Sequence, residues 1–453
     1  MNYELTIGLE IHAELKTRTK MFCACPNNAD ETRPNVLTCP ICLAHPGTLP
    51  TINEEAIRKL IKVGLALGCT IARHSKFDRK NYFYPDLPKG YQISQYDLPV
   101  CKDGKLLNIG VERIHMEEDT GRLQHSSDGS TLVDFNRAGI PLMELVTKPD
   151  IRSSEQILKF AKEYQLILRY LGASDADMEK GQMRVEVNIS VNMGTKVEVK
   201  NINSISSAGK AAEHEFKRQV EVLENGGTIV QETRGWDDVK QITVSQRVKE
   251  GSADYRYFPE PDLPPMHFED EMIEKLRAEL PELPAQRRER FVREYGVAPA
   301  QAEIFTVAKE LGDFFEEVVS ELGNPTLNTL AANYLITELP SNVTAENFAE
   351  LIGKINRKEL SSTAAKAVLK EMATTGSDPD EIMQKLDLGQ ISDGAALTDI
   401  VDTVISKNSK PVEDYKKGKT EVLKFLVGQV MAATKGKANP EVVAQLLKEK
   451  LAL

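Results

Sequence analysis

Four of the seven residues from 259 to 265 are proline, and Pro281 and Pro284 follow. Proline locks φ and removes an amide donor, so it stops helices and central strands. No single fold runs uninterrupted through such a stretch, and a domain edge is expected near residue 285. The two sides carry different patterns. Before the edge, short β-prone runs recur at 4–12, 185–191 and 196–199, the last alternating polar and β-branched residues. Helical patterns lie between them. Residues 54–67 place Ile57, Leu60, Ile61, Val63 and Leu67 near a 3.6 period, and 154–171 begins after a Ser153 or Ser154 cap and stops at Gly172. After the edge, helix spacing dominates at 300–322, 344–355, 362–373 and 380–385. A second edge is expected around 392–410, and 414–453 reads as three short helices, the last starting at Asn439–Pro440. The fold class expected is α+β: a sheet-bearing domain over 1–284, a helical domain over 285–402 and a small helical tail over 403–453. No fixed-period repeat or low-complexity segment occurs.

Composition narrows the class. The 453 residues are 41% hydrophobic and 28% charged, which is ordinary for a globular chain and excludes extensive disorder. No run of about 18 apolar residues occurs, so no spanning helix is expected. The first sixteen residues hold Glu4, Glu10 and Glu14 without a basic segment, so they do not read as a signal peptide. Six cysteines in such a chain do not read as a disulfide framework, and a cytoplasmic location is expected. The net charge of −11 hides an asymmetry. Residues 403–453 hold ten Lys and no Arg against five acids, a balance of +5 that leaves −16 on the rest. This tail suits a local polyanion contact, or else a solvated lysine-rich helix face.

Four constellations could carry chemistry. Cys23-x-Cys25 and Cys39-Pro-x-Cys42 are two close pairs separated by thirteen residues. Such pairs can place four thiolates tetrahedrally around a zinc ion, the alternative being reduced structural thiols. Cys69 and Cys101 read as packing residues. Glu10, His12 and Glu14 alternate, so in a strand they share a face and could hold a divalent cation or line a solvated sheet edge. His115-Met-Glu-Glu-Asp119 clusters three acids after a histidine, which suits Mg²⁺ or a solvated acidic turn. Residues 76–95 interleave cations with aromatic rings, a pattern that can neutralise phosphates and stack on bases, or form an amphipathic hairpin. No Walker-type loop or dinucleotide fingerprint is present.

Eight blocks taken in order carry a resemblance. They are Ile7-Gly-Leu-Glu-Ile-His12, residues 76–86, Gly90-Tyr-Gln-Ile-Ser-Gln95, His115-Met-Glu-Glu-Asp119, residues 134–144, Lys200-Asn-Ile-Asn-Ser204, residues 254–262 and Phe425-Leu-Val-Gly-Gln429. End to end, the chain resembles the GatB family, the B subunits of bacterial aspartyl/glutamyl-tRNA(Asn/Gln) amidotransferases. The resemblance implies a glutamine synthetase-like antiparallel-sheet catalytic domain. It implies a substrate, tRNA misacylated with Glu or Asp, whose side-chain carboxylate is phosphorylated by ATP with Mg²⁺. Ammonia then forms the amide, delivered from glutamine by a separate amidase, the A subunit, and a small C subunit holds the pair together. Carried over by motif, Glu10, His12 and Glu118 are the expected Mg²⁺ ligands and catalytic residues. Arg79, Lys80 and Tyr82 are expected to hold phosphates or the aminoacyl end. The tail would grip tRNA through Lys416, Lys417, Lys419, Lys424, Lys435 and Lys437. Two qualifications follow from the family pattern. Glu186 in Arg184-Val-Glu-Val-Asn188 stands where the family commonly has Asp, and only some members have the four cysteines, so zinc would be an accessory staple. The rival readings are a non-catalytic tRNA-binding adaptor and a stand-alone ligase for a small carboxylate. Convergence of Glu10, His12 and Glu118 in one pocket is the feature expected to separate catalysis from mere tRNA binding.

Overall fold

The computed structural model describes residues 3–28, 30–248, 255–338, 341–386, 394–434, 438 and 440–451. They fall into two compact units, Met1–Pro284 and Ala285–Leu453. In chain order the first unit holds strands β1 (Leu5–Glu14), β2 (Thr70–Ile71), β3 (His74–Ser75), β4 (Asp78–Asn81), β5 (Tyr91–Ser94), β6 (Cys101–Leu106), β7 (Ile109–Glu118), β8 (Arg122–His125), β9 (Thr131–Asp134), β10 (Pro141–Thr147), β11 (Met183–Val191), β12 (Val197–Lys200), β13 (Glu232–Asp237), β14 (Ile242–Val248), β15 (Phe258–Pro259) and β16 (Met266–His267). Nine of them make one sheet in the order β14-β13-β12-β11-β1-β10-β7-β6-β2.

The alternation of side chains along these strands decides which face is core. On β1 the odd residues Ile7, Leu9, Ile11 and Ala13 are fully buried, joined by Met143 and Leu145 of β10, Ile114 and Met116 of β7, and Val185 and Val187 of β11. Helices α1 (Glu54–Ala66), α2 (Ser154–Tyr170) and α3 (Ile205–Glu224) supply the other side of this core through Leu60, Ile61, Phe160, Tyr164, Ala208 and Ala212. A fourth helix, α4 (Asp270–Ala278), adds Ile273 and Leu276. Truncating one large side chain of this kind to alanine typically costs about 2–5 kcal/mol. The first three helices each start on a side-chain cap: Asn53 accepts from the Ala56 amide, Ser153 from that of Gln156 and Ser204 from that of Ser207.

The sheet is antiparallel except at β12 and β13, which run parallel. Parallel neighbours need a long crossover, and α3 provides it. The opposite face of the sheet is the polar one. A small sheet, β15-β4-β5, lies beside it, with β5 packed against β7.

The second unit is helical throughout its described residues: α5 (Pro284–Tyr295), α6 (Pro299–Val307), α7 (Lys309–Leu322), α8 (Asn328–Glu338), α9 (Ala345–Asn356), α10 (Ser362–Thr375), α11 (Pro379–Leu386), α12 (Gly394–Lys407), α13 (Ser409–Lys416), α14 (Val422–Ala433) and α15 (Pro440–Leu451). The pattern over 300–322 is two helices and not one. The chain breaks at Ala308 (φ −94°, ψ 80°), and a Cβ on Gly312 would meet the Phe305 carbonyl oxygen at 2.2 Å, so only glycine permits this tight return. The return stacks Phe305 on Phe315, centroids 4.5 Å apart. The last core unites Leu397, Val401 and Val404 of α12 with Leu426, Val430, Val443 and Leu447. Helix α12 thus runs through position 403, where the sequence pattern places an edge.

Candidate metal and phosphoryl-transfer centre

Register aligns a row of ionisable side chains across the polar face of the sheet. His12 of β1 lies opposite Glu144 of β10, and Glu144 lies opposite His115 of β7. On the other side Glu10 lies opposite Glu186 of β11, and Asn188 lies opposite Glu198 of β12. Residues directly opposite in an antiparallel pair present their side chains on the same face. Glu117, two residues after His115, joins them.

The distances are short. His12 Nε2 sits 3.2 Å from Glu144 and 3.9 Å from both Glu10 and Glu117. His115 Nε2 lies 3.5 Å from both Glu117 and Glu144. Glu117 accepts from Ser94 Oγ at 2.7 Å and from Gln92 Nε2 at 3.0 Å, and Lys80 Nζ stands 3.5 Å away. Lys200 bridges Glu186 at 2.8 Å and Glu198 at 3.8 Å.

Burial and crowding shift these groups apart. Burial, then the charge of Glu144, raises Glu10 to about 7. Burial pulls His12 down, but its hydrogen bond to Glu144 and that carboxylate's charge win and raise it to about 9. Burial opposes ionisation of Glu144 too, yet His115 and His12 hold it at about 2. For Glu117 the desolvation is again outweighed, by Lys80 and His115, which keep it well below the carboxylate range.

The donor set fits a divalent cation. Ligand atoms of Glu10, His12 and Glu144 lie within 4.8 Å of one another, as do those of His115, Glu117 and Glu144. Both imidazoles turn Nε2 toward the carboxylates and leave Nδ1 buried without a hydrogen bond. Three hard carboxylates with imidazoles beside them suit Mg²⁺ or a similar ion, and a cation would relieve the like-charge crowding that lifts Glu10.

The structure brings Glu10 and His12 together but not Glu118. Along β7, Glu118 has the parity of the core residues Ile114 and Met116, so it leaves the row. Its carboxylate pairs with Lys89 at 2.5 Å and accepts from the Ile93 amide at 2.9 Å. It lines a separate cavity of about 270 Å³ with Lys89, Tyr91, Phe22 and Cys42. Glu117 and Glu144 occupy the row in its place. Strict alternation from His115 points to Glu117, and a lone acid within Pro-Leu-Met-Glu-Leu-Val is the signal for Glu144. Glu14 also leaves the cluster, pairing with Arg137, which holds Asp119 at 3.0 Å.

Alternation on β4 splits the expected phosphate-binding group. Lys80 faces Glu117 and the Tyr255 ring, 5.5 Å from its centroid. Arg79 faces away, bound by Glu260 at 2.7 Å and stacked 4.3 Å over Tyr91. Tyr82 meets Tyr255 edge-on at 6.0 Å. In the tail, Lys416, Lys417, Lys419 and Lys424 are exposed, and the last three pair with Glu413, Asp414 and Glu421 at 3.8, 3.2 and 3.1 Å. Lys435 and Lys437 lie outside the described residues.

The four cysteines converge as the spacing requires. Their Sγ atoms lie within 4.8 Å of one another, and Cys39 and Cys42 are 3.9 Å apart. Zn–S bonds of about 2.3 Å give a tetrahedral edge of about 3.8 Å, so the cage matches zinc. The Cys39 amide donates to Cys42 Sγ at 3.2 Å, and a turn with Ala44 at φ 58° closes the loop. A hydrogen bond from the Cys23 thiol, helped by Lys20, holds the Cys42 thiol down at about 4.

Residues 5–274 match the family described as the GatB/GatE catalytic domain, and residues 307–451 match the GatB domain. The chain is 47% identical to a protein of Thermoanaerobacter pseudethanolicus, the alignment covering all of both. It is 47% identical to one of Carboxydothermus hydrogenoformans over 99% of each chain, and to one of Geobacillus thermodenitrificans over all of this chain and 99% of that one. All three are named as the B subunit of an aspartyl/glutamyl-tRNA(Asn/Gln) amidotransferase.

Proposed function

Because the chain belongs to the GatB family, we propose that it serves in a tRNA-dependent amidotransferase as the component that converts the side-chain carboxylate of Glu-tRNA(Gln) or Asp-tRNA(Asn) to an amide. The observation that carries the chemistry is the row Glu10–His12–Glu144–His115–Glu117 on one face of the sheet. A bare tRNA-binding adaptor has no use for five ionisable groups gathered within reach of one another on one face of a sheet, four of them with shifted acidities.

A carboxylate is a poor electrophile, and ammonia does not displace oxide from it. ATP-dependent phosphorylation turns that oxygen into a leaving group, and ammonia then completes the amide. A divalent cation in this row would screen the charge that gathers during phosphoryl transfer. The chain's own residues do the rest. Glu10, Glu117 and Glu144 present the oxygen ligands, and His12 and His115 hold them in register. Gln92 and Ser94 orient Glu117, and Lys80 places a cation at the rim where a phosphate would enter. Ammonia would come from glutamine hydrolysed by a partner amidase, with a small third protein completing the complex. The four cysteines would hold a structural zinc, and the lysines of the tail would meet the tRNA body.

The test is the complex reconstituted with its amidase partner and supplied with each charged tRNA. ATP cleavage and amide formation should both require the charged tRNA and a divalent ion. Free glutamate supporting the same ATP cleavage would replace this reading with a small-carboxylate ligase.

A further inference from the structure

Lys20 is fully buried, with 0% of its surface exposed, although an ammonium group is among the costliest to remove from water. Its Nζ has two partners: the Phe135 carbonyl oxygen at 3.3 Å and Cys42 Sγ at 3.8 Å. No carboxylate lies within ion-pair reach of it among the described residues, so the nearest group able to balance the charge is sulfur. Its backbone belongs to the cysteine loop as well, since the Lys20 amide donates to the Cys25 carbonyl at 2.9 Å. The stem is fixed by a close approach. A Cβ on Gly139 (φ +85°) would lie 3.7 Å from both Lys20 Cδ and Cys42 Cβ, so the stem and the thiol pass over the same glycine.

Four thiolates around one divalent ion leave two negative charges, and of the four sulfurs Cys42 is the buried one. We propose that Lys20 is the outer ligand of this cysteine site, donating to the Cys42 thiolate and cancelling one of those charges, and that it sets how tightly the site holds its metal. The inference rests on the zinc reading above. An N–H donor on a thiolate draws density from sulfur, so the same contact should make Cys42 a harder donor and a slower nucleophile.

The test uses the full chain, stripped and re-titrated with zinc against a chromophoric chelator, then with Co²⁺. Lys20→Met should raise the zinc Kd about 10–100-fold, the usual effect of losing a partner behind a ligand. Its sulfur-to-cobalt charge-transfer band should move to lower energy, and Cys42 should alkylate faster in the loaded protein. Lys20→Arg, which keeps charge and donor, should stay close to wild type on all three. Lys20→Leu, which likewise removes charge and donor, carries the same comparison if the Met variant does not fold. Wild-type affinity together with an unshifted cobalt band in a folded Met or Leu variant overturns the assignment. A wild-type chain that takes up neither metal overturns the zinc reading itself, and the two failures are thereby distinguished.

Discussion

The cysteine cluster draws its four thiols from twenty consecutive residues, Cys23 to Cys42, whereas the carboxylate row takes its groups from β1, β7, β10, β11 and β12, spread over residues 10–198. The first closes a short loop at a small entropic cost and could form before the sheet does. The second exists only once five strands are in register. It also keeps one carboxylate under strain, since Glu10 is driven up to about 7 by burial and by Glu144. A cluster that gathers shifted acids and bases at one point belongs to function, and one that ties a loop belongs to stability.

That contrast can be broken from either side. The largest effect is expected at the shared ligand Glu144, which belongs to two of the three metal-competent triads on this face of the sheet. Glu144→Gln should lower tRNA-dependent amide formation about 10³-fold, the scale of losing one preorganised electrostatic group, with tRNA affinity nearly unchanged and a lower thermal midpoint, because His12 and His115 lose the carboxylate they pair with. Near wild-type turnover in single-turnover assays would move the chemistry out of this row.

The opposite signature is expected at the thiols. Cys39→Ser with Cys42→Ser should lose the metal by elemental analysis and lower stability by about 3–4 kcal/mol at zinc levels 10²–10³ times Kd. The rate per folded molecule should survive. A double variant with wild-type stability and no amide formation would make this loop catalytic and erase the distinction.

A finer cut separates neighbours on one strand. Glu117→Gln should depress the phosphorylation step about tenfold more than Glu118→Gln, because only Glu117 faces the row. Glu118→Gln should instead cost about 1–3 kcal/mol of stability by leaving Lys89, 15% exposed at its side chain, without its partner. Equal rate losses would restore Glu118 to the metal-facing group.

The smallest effect is expected in the tail. Replacing Lys416, Lys417, Lys419 and Lys424 together by Ala should raise the KM for tRNA and reduce its salt slope by less than the roughly 0.7–0.9 per contact of a bare phosphate partner, since three of the four already have acidic neighbours. kcat at saturating tRNA should hold. An unchanged salt slope would make the tail a solubilising cap.

Much of this site is legible in the sequence. The cysteine pairs are read from spacing alone, and Glu10 with His12 from strand alternation. Glu118 shows where motif reading fails. A run of three acids does not say which one shares the histidine's face, yet parity within the strand does. Motif reading groups Arg79 with Lys80 for a similar reason, and alternation on β4 separates them. Glu144 is marked only as a lone acid in an apolar run and Glu198 hardly at all, because their partners stand on strands far away in sequence.

What the sequence determined by itself is everything that depends on near neighbours: helix caps at Asn53, Ser153 and Ser204, the cysteine loop, the stop at the proline-rich stretch, and the apolar parity of β1. Tertiary structure alone decided the pairing of β1 between β10 and β11, the single parallel step at β12 and β13, and the burial of Lys20 against Cys42. The reason is range. Caps and turns are settled by bonds within about four residues, whereas register is settled by which apolar face the assembled sheet can bury, and only that assembly brings Glu144 to His12.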